Sequence, residues 1–300
     1  MSLYFTEEHE FFRKSFQDFL KKEVVPHIDT WEQTGTIDRF IWEKFGEMGY
    51  FGLATPEAYG GMDLDIFYTI IFIEELQKIN SGGFAAAIWA HEYLAMTHLN
   101  KEANEAQKQK YLVPSVTGEK IGCLCITEPF GGSDVGGMRT TAVKKGDTYV
   151  INGSKTFITN GVYSDYLIVA AKTSPELGKK GISIFVMDRD LPGISATKLD
   201  KLGWRASDTA EIAFDNVVIP AENLMGEENL GFPYIMQHFA LERLIMGVNA
   251  HARSEWALDY AIGYMKERTA FGKPISKFQA LRHKVADLAS EVEMAKTFNY

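Results

Sequence analysis

Two stretches of this sequence carry residues whose type and spacing could do chemistry. Glu242 lies in Phe239-Ala240-Leu241-Glu242-Arg243-Leu244-Ile245-Met246, and in a helix its neighbours three and four positions away are His238, Phe239, Ile245 and Met246. A carboxylate on so apolar a face is costly unless it has a partner or a role. Burial raises a carboxyl pKa, which is what a general base working near neutral pH requires. The plainer alternative is a pair with His238 or with a cation from another helix. The second stretch is Cys125-Ile126-Thr127-Glu128-Pro129-Phe130-Gly131-Gly132-Ser133-Asp134-Val135-Gly136-Gly137, which follows an apolar, strand-like run. Pro129 biases Glu128 towards extended backbone, so a loop opens where the strand ends. Gly131 and Gly132 permit close backbone approach, and Ser133 and Asp134 add short polar groups, a concavity suited to an anionic or planar ligand. A tight polar turn is the alternative. Glu128, Asp134 and Asp208 compete for an acid-base role, but each can bond backbone amides, which lowers pKa and makes a poor base.

The elements that must position these residues change period twice. Apolar spacing predicts helices over 6–24 (N-cap Thr6, limited by Pro26), 38–48 (stopped by Gly49), 64–78, 84–98 and 103–116. From Lys120 the pattern alternates, predicting many short antiparallel strands over 121–127, 138–145, 148–152, 156–159, 166–173, 182–188, 194–199 and 209–218. Lys145-Gly146-Asp147 and Asn152-Gly153 read as hairpin turns. Helical period returns over 232–266 and 276–300, and no cap, glycine or proline ends the last helix, so it reads as cut at Tyr300. The expectation is an α+β multidomain chain: an all-α domain over 1–120, a middle antiparallel β-barrel-like domain over 121–229 and an incomplete α-helical bundle over 230–300.

Composition narrows the function. A 46% apolar and 24% charged chain of 300 residues is ordinary globular material with room for two or three substructures. A net charge of -9 argues against a nucleic-acid surface, which needs a basic stripe. The only cysteines, Cys123 and Cys125, share one strand face and read as reduced core residues; the histidines have no metal-ligand spacing, so no metal is expected. No GxGxxG joins a strand to a helix, so a Rossmann dinucleotide site is not supported. With neither a basic-then-apolar leader nor a run able to span a bilayer, the expected location is cytoplasmic, or an organelle matrix if a leader was removed.

The glycine-rich stretch, followed by Lys155-Thr156-Phe157-Ile158-Thr159-Asn160-Gly161, Gly203-Trp204-Arg205-Ala206-Ser207-Asp208-Thr209 and Glu267-Arg268-Thr269-Ala270-Phe271-Gly272-Lys273, resembles the acyl-CoA dehydrogenase family across essentially the whole chain. The Glu-Arg-Leu context of Glu242 is similar to the long-chain and isovaleryl-CoA type, whose catalytic glutamate sits on this helix. The resemblance implies FAD-dependent α,β-dehydrogenation of an acyl-CoA thioester to the trans-2-enoyl-CoA. Glu242 would take the α-proton, and a hydride would pass from Cβ to flavin N5. It implies that Leu124, Cys125, Ile126, Thr127 and Ser133 line the flavin, with Phe157, Ile158 and Thr159 as a second segment. Phe157 stands where the family often has tryptophan, keeping the flat contact but losing the indole donor; core packing is the alternative for both segments.

Arg268, Phe271 and Gln279 match contacts to the FAD pyrophosphate and adenine across a subunit interface; a solvated helix end is the alternative. Ser133, Phe239 and Arg243 match the substrate side, although Arg243 diverges from Glu242 by about 100° around a helix and reads equally as structural. The implied partners are acyl-CoA, an electron-transfer flavoprotein and, in a homotetramer, further copies of the chain. The resemblance also implies bundle helices beyond Tyr300, with a glycine-containing segment that touches a neighbouring subunit's FAD. An oxidase or monooxygenase on the same scaffold, and a non-catalytic DNA-associated relative, are the rival readings. Gly82, Gly83 and Ala85 to Ala87 suit either a roomy acyl pocket or close helix packing.

Overall fold

The computed structural model describes residues 4–300, which divide into two compact units. One comprises residues up to 22, Ile66–Asn80 and Arg243–Tyr300; the other comprises Glu23–Asp65 and Ser81–Glu242.

The first unit holds α1 (Glu7–Phe19), α4 (Ile66–Gln77), the greater part of α9 (Gly231–Glu267) and α10 (Gln279–Asn299), with a small hairpin, β9 (Thr269–Ala270) and β10 (Lys273–Pro274), between the last two. Thr6 caps α1 as its sequence predicts, its hydroxyl accepting from the His9 amide while the His9 ring answers the Thr6 amide. The Phe16 and Phe72 rings stack 4.8 Å apart where α1 meets α4. Arg13 reaches both Glu74 (2.7 Å) and Glu75 (2.8 Å), and His251 of α9 lies 3.1 Å from Glu74. The buried carboxylates of α4 are thereby paired, which their burial demands.

The second unit holds α2 (Ile28–Thr34), α3 (Arg39–Glu47), α5 (Gly82–Trp89), α6 (Met96–Glu102), α7 (Glu105–Gln107), α8 (Val113–Val116) and an eight-stranded sheet. Its strands are β1 (Gly122–Cys125), β2 (Thr141–Lys145), β3 (Thr148–Thr159), β4 (Tyr166–Lys172), β5 (Ile182–Asp188), β6 (Ile194–Lys198), β7 (Thr209–Pro220) and β8 (Leu224–Met225), in the order β6-β7-β3-β2-β4-β5-β8 with β1 beside β4. β4 and β5 are buried along almost their whole length, as their largely apolar sequences require, whereas β7 alternates and buries one face. One face of β4 and β5 packs against Met96, Leu99, Tyr111 and Leu112 of the helical segments; the other packs against Tyr149, Ile151, Ile212 and Phe214 of the sheet itself.

Several expectations are corrected. β1 pairs with β4 in parallel, and so does the Thr141–Lys172 contact of β2 with β4, so the sheet is mixed rather than wholly antiparallel. Asn152-Gly153 is no hairpin: β3 runs straight through it, with Gly153 at φ +148° in an irregularity opposite β7, so the two strands expected at 148–152 and 156–159 are one. A strand residue with that φ can only be glycine at low cost. The Lys145-Gly146-Asp147 turn does join β2 to β3. The helix over 28–34 had no prediction, because Pro26 was read as an end. Pro26 instead occupies an early position of a short 3₁₀ turn that feeds α2, where its missing N–H costs nothing. Long helical runs are interrupted by π-helical turns at Ala90–Ala95 and Lys108–Leu112.

Gly82 and Gly83 serve close packing. A Cβ on Gly82 would lie 2.7 Å from the Trp204 indole nitrogen, one on Gly83 would lie 2.7 Å from the Trp204 carbonyl carbon, and Ala85 to Ala87 are fully buried.

Candidate active site

The turn after β1 is anchored by a buried ion pair. Lys155 of β3 has no solvent exposure; its Nζ donates to Glu128 Oε1 (2.8 Å) and to the Ile126 carbonyl (3.0 Å). Glu128 Oε1 also accepts from the Thr140 amide (3.0 Å), and Oε2 accepts from the Arg139 amide (2.6 Å). Burial alone would raise the Glu128 pKa, but the Lys155 charge and these donors outweigh it and hold the carboxyl below its usual range. Glu128 is therefore a structural anion, as its place beside backbone amides suggested. Asp134 is structural too: its carboxylate accepts from the Gly137 amide and caps the short turn Val135–Gly137.

With Glu128 fixed, the Thr127 carbonyl accepts from the Thr156 amide at 2.9 Å, which brings the β1 turn against the second segment of β3. There β3 carries a second irregularity between Lys155 and Ile158, and Phe157 takes a left-handed conformation at φ +59°. That conformation is uncommon for an aromatic residue. It turns the ring outward, 69% exposed, while Lys155, Thr156 and Ile158 stay buried. Gly132 lies over Thr127, 3.4 Å from its methyl group to where a Cβ would be. Leu124, Cys125, Ile126, Thr127, Ser133, Phe157, Ile158 and Thr159 thus fall in one region of one unit. Among the described residues no side-chain hydrogen bond engages the hydroxyls of Thr127, Ser133 or Thr159. Cys125 and Ile126 are buried beneath this surface, and the Cys123 and Cys125 sulfurs are 3.8 Å apart on the same strand face.

The turn that follows Thr159 is held by Asp208. Its Oδ2 accepts from the Val162 amide at 2.6 Å, while its buried Oδ1 makes no hydrogen bond. Asn160 adds a bond from its side-chain amide to the Ala87 carbonyl (2.9 Å). Burial pushes the Asp208 pKa up to about 6, against the lowering effect of the Val162 amide.

Glu242 is half-buried on α9. It occupies the inward stripe of that helix, in line with the buried Ile235, His238, Ile245 and Val248, whereas Gln237, Ala240 and Arg243 are exposed. Phe239, one turn earlier, packs on the apolar cluster that also takes Leu124 and contains Ile126 and Val135. The substrate-side aromatic and the β1 segment therefore rest on one core. His238, a partner weighed for Glu242, hydrogen-bonds Glu102 at 2.9 Å.

Arg268, Phe271 and Gln279 lie in the other unit, gathered at the β9–β10 hairpin between α9 and α10. Phe271 is 94% exposed at φ +52°, and the exposed Arg268 has no ion pair among the described residues. A groove of about 700 Å³ between α9 and α10, lined by Leu258, Leu288 and Phe298 among others, holds none of the site residues expected from sequence.

Sequence reasoning missed the buried role of Lys155, because the expected strands 148–152 and 156–159 leave it in a connection and the irregularity between Lys155 and Ile158 breaks the alternation that could have placed it. The isoalloxazine ring of a flavin is flat and edged with hydrogen-bonding atoms. An exposed aromatic face, uncommitted hydroxyls and a glycine-opened loop suit such a ring.

Comparison with known proteins places these observations in a family. Models of the acyl-CoA dehydrogenase N-terminal, middle and C-terminal domains match residues 6–119, 123–217 and 229–300. The long-chain specific acyl-CoA dehydrogenase of Sus scrofa is 38% identical over 297 residues, covering 98% of this chain and 69% of that protein. The crystal structure of acyl-CoA dehydrogenase from Geobacillus kaustophilus superposes with a TM-score of 0.96 at 41% identity, over 100% of this chain and 79% of that one. A glutaryl-CoA dehydrogenase from Mycobacterium smegmatis, in complex with FADH2, gives a TM-score of 0.91 at 27% identity over 98% of this chain and 75% of its own.

Two outcomes follow from the anchors. Lys155→Met leaves the Glu128 charge buried and unpaired, and is expected to lower the unfolding free energy in a urea titration by about 3–5 kcal/mol; adding Glu128→Gln recovers part of that loss. Asp208 has a folded pKa above the ordinary 3.8, so its contribution to stability is full below that pH and is lost as pH rises through about 6. The gap of two pKa units corresponds to about 3 kcal/mol. Across that window wild-type stability is expected to fall relative to Asp208→Asn, and a pH-independent difference between the two would contradict the assignment.

Proposed function

This chain belongs to the acyl-CoA dehydrogenase family of oxidoreductases, and from that premise we propose that it converts an acyl-CoA thioester to the trans-2-enoyl-CoA with Glu242 as the base. The observation that carries the reading is the place of Glu242 on the inward stripe of α9, one turn from Phe239, which shares its packing cluster with Leu124 and Ile126.

FAD is the cofactor that fits. Leu124, Cys125, Ile126, Thr127, Ser133, Phe157, Ile158 and Thr159 would hold its ring through main chain, hydroxyls and the outward Phe157 face. Bound there, FAD would supply the two-electron acceptor that no side chain provides. Glu242 takes the α-proton onto a carboxylate oxygen, and the apolar residues around it on α9 keep it dry enough to act as a base. Ser133 and Phe239 would border the thioester, and Arg243, exposed on the next position of α9, would lie towards the CoA moiety. Arg268, Phe271 and Gln279 would hold the FAD pyrophosphate and adenine of a partner subunit in a homotetramer, where a guanidinium would serve as a bidentate phosphate partner. An electron-transfer flavoprotein receives the electrons. The reaction takes place in the cytoplasm or an organelle matrix, and no helix among the described residues is long and apolar enough to cross a membrane.

Anaerobic mixing of the flavin-loaded protein with acyl-CoA tests the reading: bleaching of the flavin with formation of enoyl-CoA is expected, and reduction only by a substrate without a thioester would discard it. Glu242→Gln is expected to keep flavin and acyl-CoA binding while turnover falls by about three or more orders of magnitude, because the lost interaction exists only in the transition state. Near-normal turnover would assign the base elsewhere.

A further inference from the structure

Three side chains outside the site converge in the helical layer of the second unit. His98 and Glu102 lie one turn apart on α6, so they share a face, and His238 reaches them from the N-terminal part of α9. His98 is fully buried and His238 is 5% exposed. His238 Nε2 is 2.9 Å from Glu102, and His98 Nδ1 is 3.5 Å from it, with one donor atom from each residue within 4.8 Å of the others. The two imidazole rings meet edge to face, 4.4 Å between centroids.

The pairing of His238 with Glu102 accounts for two of the three groups. It leaves His98 poorly satisfied: its only ion-pair partner among the described residues is Glu102, 3.5 Å from Nδ1, and neither ring nitrogen makes a hydrogen bond. An unmet polar group at such depth is costly. Two imidazoles and a carboxylate are a donor set for zinc-class ions. Bonds of about 2.1 Å at a tetrahedral angle put donor atoms about 3.4 Å apart. The two separations of 2.9 and 3.5 Å already bracket that value.

We propose that His98, Glu102 and His238 bind one zinc-class divalent ion, which clamps α6 to the start of α9. Each histidine gives one ring nitrogen and Glu102 one oxygen, with water completing the shell. The clamp sits one helical turn before Glu242, so it steadies the part of α9 that carries this residue, whatever reaction the protein performs. The spacing that hid the site in the sequence is the gap between His98 and His238; its one local trace is the i, i+4 pair on α6.

The test is metal content. Protein expressed in zinc-supplemented medium and passed through gel filtration is measured by elemental analysis. It is then stripped with a chelator and reloaded with Co2+, whose visible bands report a four-coordinate nitrogen and oxygen shell. The expected result is about one ion per chain in wild type, with a raised Tm and visible Co2+ bands. In His98→Ala, which keeps the His238 to Glu102 bond and hence the fold, and in Glu102→Gln, both the ion and the bands are lost. Wild type that retains no ion, or variants that retain as much as wild type, would overturn the proposal.

Discussion

The fixed point of the candidate site is a lysine with no access to water. Lys155 spends its charge on Glu128 and on the Ile126 carbonyl, and Glu128 in turn gathers the amides of residues 139 and 140. A connection over 126–140 containing four glycines would otherwise have many conformations open to it. The pair removes that freedom at the root of the loop and leaves its tip open. Leaving either charge alone at that depth would cost more than the pair does, so strand, loop and β3 are held as one body.

That constraint sets what the surrounding surface can present. Beside the Thr127 to Thr156 bond, the irregularity in β3 turns Phe157 outward, and the same strand returns Ile158 to the core. An exposed aromatic next to hydroxyls with no internal partner is a surface that a flat, polar-edged molecule completes. Asp208 and Asn160 then secure the far end of the segment, each through a bond to backbone rather than to another side chain. Anchors of this kind fix geometry without consuming the groups that meet a ligand.

Much of this was legible before any coordinates. Helical period placed α3, α9 and α10 within a few residues, and Gly49 marked the end of α3. The two-residue turn before β3 was legible from Gly146. The parallel pairing of β1 was not, since alternation fixes which face a residue takes but not the direction of its neighbour strand. Asn152-Gly153 misled for a related reason: the same dipeptide that makes a tight turn also supplies the φ that an irregular strand requires. Glu242 stood out among its apolar neighbours, but they left a paired carboxylate equally open, and only the resemblance favoured a base. The buried ion pair and the His98, Glu102 and His238 cluster were not, because their members lie 27 and 136 residues apart and only the fold brings them together.

The central claim is that Glu242 takes a proton from the carbon beside a thioester. Its most direct test is solvent exchange at that carbon, followed by NMR in D2O with an acyl-CoA analogue that cannot be oxidised at Cβ, so that proton removal is seen apart from electron transfer. The account predicts deuterium at the α-position with wild-type protein and none above background with Glu242→Gln. Equal exchange by the two proteins would contradict it.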